Sequence, residues 1–354
     1  MLRIETAKIG DSMQKRVSLK MLAEKLKVDV STVSRALRDD PRVKSETRDI
    51  VQALARRLDY RPNAAARALK AGQSGRIAVL LSPPQQRFAS PIFLELLSTL
   101  DQHLRDTGRN LAVFAARTRN EEAELVRQII DEGLADGIVL GRTRKDDPRI
   151  SFLLRRAVPF VTLGRTDWPD AHPWVEIDYS EAGRLAVRAL CDDLKGQLHI
   201  IAAPEGLNFA DYYVSGALEE AAKLGLPDPR LWRVEMTEAE GERIAQDILG
   251  HSDRFPAFAC IQDSLAFGVF RAATAASAVV GRDLTIFGGQ NFPGSEHTSP
   301  PLSTFSTEDR RIADLLSQVM LRRLQQSADG PFETHTVLPT VLLRQSHKLA
   351  QVEN

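Results

Sequence analysis

The chain has very little cysteine. Only Cys191 and Cys260 occur in 354 residues, in no metal-ligand spacing, which argues against a disulfide framework and against a zinc site. Long apolar runs are absent too: stretches such as Ile77–Leu81 fall far short of a bilayer span. No charged-then-apolar signal segment opens the chain, so it reads as a cytoplasmic protein with no membrane partner. The histidines (His103, His172, His199, His251, His297, His335, His347) are scattered, without H-x-x-x-H or H-E-x-x-H spacing. G-x-S-x-G, Walker A and G-x-G-x-x-G are all missing. Gly288-Gly289 reads as a turn after a strand, and Asp192-Asp193 as a solvated pair near a helix end. Nothing here indicates an enzyme, and no cofactor or metal is expected.

Net charge is lacking as well, but its zero hides an asymmetry. Residues 1–72 hold 17 Lys/Arg against 9 Asp/Glu, a net of +8, and the remainder carries −8. A basic head on an acidic body is the footprint of a polyanion-binding module joined to something else.

What the head contains is a pattern of short helices. Val17–Glu24 reads as a helix capped by Ser18, with Leu19, Leu22 and Ala23 at helical spacing. After a tight turn, Val30-Ser-Thr-Val-Ser-Arg35 opens a second helix. Val33 and Leu37 face inward there, and Ser31, Thr32, Ser34 and Arg35 can face out. Such a pair suits a DNA major groove, although a plain amphipathic hairpin has the same pattern. A third helix runs from Ser45, its expected N-cap, to Leu58, with Ile50, Val51, Leu54 and Leu58 at helical spacing. Pro62 ends that helical pattern, and Ala64–Lys70 is helix-prone but too short to stand alone. Residues 1–16 read as an unstructured extension, with Met13 an alternative start.

The succession S-x-V-S-R-x-L, V-x-x-x-T-R and Y-x-P-N-x-x-A-R-x-L resembles the lactose-repressor (LacI/GalR) family of bacterial transcription regulators. The resemblance implies double-stranded DNA, a palindromic operator, as a partner. By position, Val30, Ser31 and Arg35 would read bases, and Leu69 would wedge into the minor groove from a hinge segment that folds only on the operator. The same carry-over puts Ser18, Leu19, Thr32, Ser34, Ser45, Arg48, Tyr60, Asn63, Ala66, Arg67 and Lys70 on the DNA side. One departure is Lys27, where the family usually has Gly; the turn must tolerate or avoid positive φ there.

Beyond Gly72-Gln-Ser-Gly75, strand and helix alternate. Arg76–Leu81, Asn110–Ala115, Ala135–Leu140 and Pro159–Leu163 read as strands between helices, and the alternation repeats from Trp174–Asp178 to a closing strand Val337–Arg344. This predicts two parallel, doubly wound halves, with ligand in the crevice at the strand carboxyl ends. Asp136–Leu140, Val158–Arg165, Val175–Asp178 and Pro300–Thr304 sit where the family's core motifs fall. The expected organisation is therefore an all-α helix-turn-helix headpiece at 17–62, a hinge and linker at 63–75, a bilobed periplasmic-binding-protein-like α/β core at 76–344, and a tail at 345–354.

The resemblance also nominates a cleft. Phe93 matches an aromatic wall, with Ile92 beside it as wall or core. Arg165 and Asp178 end strands, Met236 falls where relatives often carry a stacking aromatic, and Gln262-Asp263 matches an N-D pair whose acid also suits a helix cap. Tyr213 replaces an arginine of R-x-x-G, and Gln290 replaces the first acid of G-F-D-D. Losing that cation and that carboxylate suits a neutral sugar or polyol. Arg142 and Arg165 keep an anionic ligand in view, and a nucleoside-type or co-repressing effector is the other alternative. The reading is a homodimeric, sugar-controlled repressor of a carbohydrate-uptake or catabolic operon. A binding protein whose basic head has lost DNA function is the rival class. The missing leucine-heptad tail after Arg344 favours a dimer over a tetramer.

Overall fold

The computed structural model describes residues 17–37, 39–58, 60, 74–81, 91–105, 107–118, 120–251, 255–325 and 331–349. They fall into two units, within 1–72 and 73–354. The extension 1–16, the hinge residues Asn63, Ala66, Arg67, Leu69 and Lys70, and the end of the tail lie outside the described residues.

In the first unit, helices α1 (Leu19–Leu26), α2 (Val30–Ala36) and α3 (Ser45–Arg57) enclose a small core of Leu22, Ala23, Val33, Ala36, Val43, Val51 and Ala55. The Ser18 hydroxyl accepts from the Met21 amide at 3.2 Å and starts α1 as the sequence predicts. Lys27 ends it in the left-handed region at φ 52°, its amide reaching back to Ala23 and Glu24. Two expectations change. Lys44, not Ser45, is the N-cap of α3, and neither makes a side-chain capping bond. Ile50 does not join the core but stands 54% exposed, because Val51 and Ala55 take the inward stripe one step round the helix.

The second unit holds two parallel sheets. Strands β1 (Arg76–Leu81), β2 (Asn110–Ala115), β3 (Gly137–Leu140), β4 (Phe160–Leu163) and β5 (Trp174–Ile177) alternate with helices α4 (Pro91–Arg105), α5 (Glu121–Asp131) and α6 (Pro148–Arg155). The chain then enters a second lobe. There α7 (Tyr179–Cys191), β6 (Leu198–Ala202), α8 (Asn208–Lys223), β7 (Arg230–Arg233), α9 (Glu238–Gly250), β8 (Ala257–Cys260), α10 (Asp263–Ala275), β9 (Thr285–Phe287) and β10 (Thr304–Ser306) follow. Helix α11 (Asp309–Gln325) returns to the first lobe with β11 (Thr334–Val337), and β12 (Thr340–Leu342) crosses back to pair antiparallel with β10. The first sheet runs β11-β5-β4-β3-β1-β2 and the second β7-β6-β8-β9. Every pairing within both sheets is parallel, and their central strands are buried on both faces as such sheets require.

This corrects the partition expected from the alternation alone. β5 belongs to the first sheet, paired with β4 and β11, rather than opening the second half. The single closing strand Val337–Arg344 is two strands in different lobes, separated where Leu338-Pro339 crosses between them. The chain therefore passes between the lobes near residues 177–179, 306–309 and 337–340. Within the second lobe α7 and α8 pack very closely. A Cβ on Gly216 would lie 2.0 Å from the Ser180 carbonyl oxygen, so only glycine fits that crossing.

Candidate functional site

Two surfaces gather polar side chains where an outside partner could meet them. The first is the outward face of α2. Val33 and Ala36 turn into the headpiece core, which leaves Val30, Ser31 and Arg35 exposed and Thr32 and Ser34 half-buried at the rim. A short helix anchored by two small apolar residues and presenting a hydroxyl, a guanidinium and a methyl-bearing side chain can enter a major groove. Ser18 is exposed beside its capping bond, and Leu19 is half-buried. Arg48 is partly taken up by Asp39, 3.8 Å away, and Tyr60 leans on the core. Exposed Ser45, with no cap to form, is free for an external partner.

The second is a cavity between the lobes, enclosing about 750 Å³ with its open mouth included. Ile92, Phe93, Arg142, Leu163, Gly164, Glu176 and Ile177 line it from the first lobe; Phe209, Met236, Gln262 and Gln290 line it from the second, with Tyr179 and Thr307 beside the crossovers. Many of these follow the carboxyl ends of strands: Arg142 after β3, Gly164 after β4, Tyr179 after β5, Met236 after β7, Gln262 after β8 and Gln290 after β9. That is where open α/β sheets gather ligand-binding side chains. Arg142 and Gln290 hold φ of 55° and 77°, a conformation that costs about 1–3 kcal/mol per non-glycine residue and concentrates at functional loops. Phe93 lies across Gly141, whose missing Cβ would sit 3.1 Å from the ring.

The second lobe's polar wall is a relay of neutral groups. Ser264 Oγ donates to Gln262 Oε1 at 2.8 Å, Gln262 Nε2 to Gln290 Oε1 at 3.1 Å, and Gln290 Nε2 to the Tyr179 hydroxyl at 3.0 Å. Behind it the fully buried Asp263 accepts from the amides of Gly289 and Phe292 and the hydroxyls of Ser295 and Thr304. Burial lifts its pKa to about 6 against the pull of those donors. Asp263 therefore shapes the loop that carries Gln290 and is spent on the fold. Gln262, the N-cap residue ahead of it, makes no capping bond and faces the cavity.

The first lobe contributes charge. Glu176 is 6% exposed, and burial pushes its carboxyl up from the ordinary range, only partly offset by Arg165. Arg165 Nε lies 3.2 Å from Glu176 Oε1, and its guanidinium stacks 4.6 Å over the Tyr212 ring. Arg142 is placed by a buried ion cluster. Arg149 donates to Asp147 and Glu122 and also to the Gly141 and Arg142 carbonyl oxygens at 3.2 and 3.1 Å. Burial opposes the Asp147 charge, yet the bonds from Arg149 hold its pKa below the usual carboxylate value. The lobes also touch directly. Asn208 donates from its backbone to the Thr143 carbonyl oxygen at 3.1 Å and from Nδ2 to the Arg165 carbonyl oxygen at 2.7 Å, and Arg144 bridges to Leu207.

Five of the eight residues nominated from sequence line the cavity: Phe93, Arg142, Met236, Gln262 and Gln290. Three do not. Asp178 caps α7 by accepting from the Glu181 amide at 2.9 Å; Arg165 sits behind Glu176; Tyr213 is fully buried against Phe305, its hydroxyl without a partner among the described residues. A phenol is shorter than the arginine it replaces and stays in the core. Tyr179, Phe209 and Glu176 line the cavity without having been nominated: no motif marks Tyr179 or Phe209, Glu176 lies inside the Val175–Asp178 motif without being singled out, and Tyr179 and Glu176 flank a lobe crossover that the alternation pattern does not reveal.

Among the described residues no group of acidic, histidine or cysteine side chains could hold a metal, and no helix is long and apolar enough to cross a membrane. A helix-turn-helix unit followed by a two-lobed parallel-sheet core with a cleft is the architecture of a ligand-responsive DNA-binding regulator. Residues 18–63 match the profile of bacterial regulatory proteins of the lacI family, and residues 197–347 that of periplasmic binding protein-like domains. The chain is 30% identical over 322 residues to the HTH-type transcriptional regulator AglR of Rhizobium meliloti (strain 1021), covering 89% of this chain and 90% of that one. The Lac repressor dimer bound to operator and the anti-inducer ONPF superposes with a TM-score of 0.81 at 20% identity, over 95% of this chain and 100% of that one. The CelR–cellobiose complex does so with a TM-score of 0.69 at 20% identity, over 94% and 100%. The chain belongs to the LacI family of transcriptional regulators, whose members bind DNA and small-molecule effectors.

Proposed function

We propose that this regulator is a homodimeric repressor released from a palindromic operator by a neutral sugar or polyol bound in the inter-lobe cleft. The observation that carries the ligand class is the polar lining itself: two amides, a phenol, a threonine hydroxyl and a buried carboxylate against one arginine, between the aromatic faces of Phe93 and Phe209. Glu176, held by Arg165, can still accept hydrogen bonds from ligand hydroxyls, and aromatic rings stack on the apolar faces of a sugar ring. The cellobiose held by CelR, a protein of the same fold, supports the same class. Arg142 favours the second reading, an anionic effector, and is the group such a ligand would meet.

The carried-over DNA contacts follow from α2: Val30, Ser31 and Arg35 read bases, and the segment 63–70, with Leu69 as the wedge, completes the interface. The test is a gel shift on DNA upstream of this gene and its neighbours at fixed salt, repeated with neutral sugars, dicarboxylates and phosphorylated sugars. Selective binding to a palindrome, released by a neutral sugar, is the expected outcome. Release by an anion alone contradicts the ligand class. Arg35→Ala is expected to lower operator selectivity by about 1–3 kcal/mol, as a lost base contact does; an equal loss on all sequences would make Arg35 a phosphate contact instead.

A further inference from the structure

Tyr179 is the one cavity-lining residue at the lobe crossover whose side chain combines a fixed position with an uncommitted proton. Its ring is wedged between Phe209, 5.2 Å away and tilted by 54°, and Phe305, 6.3 Å away and edge-on. Its oxygen accepts from Gln290 Nε2 at 3.0 Å, and Gln290 is in turn held by Gln262 and Ser264. Among the described residues the phenol donates to no protein acceptor. A hydroxyl offers one donor and two acceptor positions; here the acceptor side is occupied and the donor is left over, 8% exposed at the cavity wall. An unsatisfied buried donor is unfavourable, so it will discriminate strongly among ligands that do and do not present an acceptor to it.

We propose that Tyr179 is a specificity-determining residue of the cleft, donating its phenolic proton to one neutral acceptor oxygen, hydroxyl or ether, of the bound sugar. The inference rests on the sugar reading above and names the group that sets its selectivity. Several features converge on it. Burial first, then the nearby negative charge of Asp309, pushes the phenol pKa up, so the proton stays in place at any physiological pH. The Gln290 backbone is held in the left-handed region and its loop is tied down by Asp263, so the partner that orients the phenol is itself rigid. Glu176, on the facing lobe, offers acceptors, so a hydroxylated ligand can donate to Glu176 while accepting from Tyr179. The same ligand thereby contacts both lobes beside a crossover.

The test is calorimetry on the full-length protein with cellobiose and the other neutral disaccharides and monosaccharides of the operator-release panel, followed by the monodeoxy analogues of whichever sugar binds. For the wild type, one deoxy position is expected to weaken binding about 5- to 100-fold more than the others. Tyr179→Phe keeps the ring packing and removes the donor. It is expected to bind the parent sugar about 5- to 100-fold more weakly, to bind that one deoxy analogue no worse than the parent, and to retain operator binding without sugar. Gln290→Met, which frees the phenol, is expected to relax the same discrimination, and it serves if the phenylalanine variant does not fold. Equal weakening for every analogue in both variants means a packing role and overturns the assignment. Wild-type affinity for a sugar with no change in Tyr179→Phe overturns it too, leaving the sugar reading intact. No binding of any neutral sugar by the wild type overturns both.

Discussion

Lys27 shows how a single side chain carries a backbone requirement the sequence only hints at. The turn between α1 and α2 closes in the left-handed region, and the lysine accepts that conformation rather than avoiding it. Left-handed geometry costs a residue with a Cβ about 1–2 kcal/mol, partly offset in a glycine variant by the freer unfolded chain. Lys27→Gly is therefore expected to stabilise the headpiece by up to about 1 kcal/mol, read as slower amide hydrogen exchange in α1 and α2 of the full chain. Unchanged or faster exchange would mean that the turn carries no strain. At this scale the sequence was informative wherever a residue type is tied to one geometry. Ser18 as a cap and Gln262 as the cavity-facing member of its pair were legible; Tyr179 and Glu176 were not, since neither a tyrosine opening a helix nor a glutamate inside a strand has a local signature that points to a cavity.

Elements behave as rigid carriers for these residues, and the loop after β3 is the clearest example. Its Arg142 enters the cleft because Arg149, on α6, grips the Gly141 and Arg142 carbonyl oxygens while neutralised by Asp147 and Glu122. Removing one member of a buried ion cluster leaves uncompensated charge, which costs about 3–5 kcal/mol. Arg149→Met is expected to lower stability by that amount in denaturant unfolding and to weaken effector binding, while Arg156→Met, an exposed pair with Asp131, should change stability by less than about 1 kcal/mol. Equal effects of the two would remove the ion cluster from the account. Strand and helix existence was readable from apolar runs and periodicity, and β1 and β2 have the boundaries expected. The lobe to which each strand belongs was not, because partners such as β11 and β5 lie far apart in sequence.

For the whole molecule, three chain crossings among the described residues join the lobes, and the cavity touches two of them at Tyr179 and Thr307. A ligand there can bias the angle between lobes, and the Asn208 contacts to Thr143 and Arg165 give the observed arrangement a direct inter-lobe hold. The central claim is that this cleft and the DNA-reading helix share one equilibrium. Thermodynamic reciprocity then requires operator to weaken effector by the same factor as effector weakens operator. The direct measurement is the affinity of the effector identified in the operator-release panel for the full-length protein, by calorimetry, with and without saturating operator duplex. Affinity reduced by the operator, by the same factor that the effector reduces operator affinity, is the predicted result. Identical affinity in both conditions would mean that the cleft and the headpiece are independent, and would contradict the account.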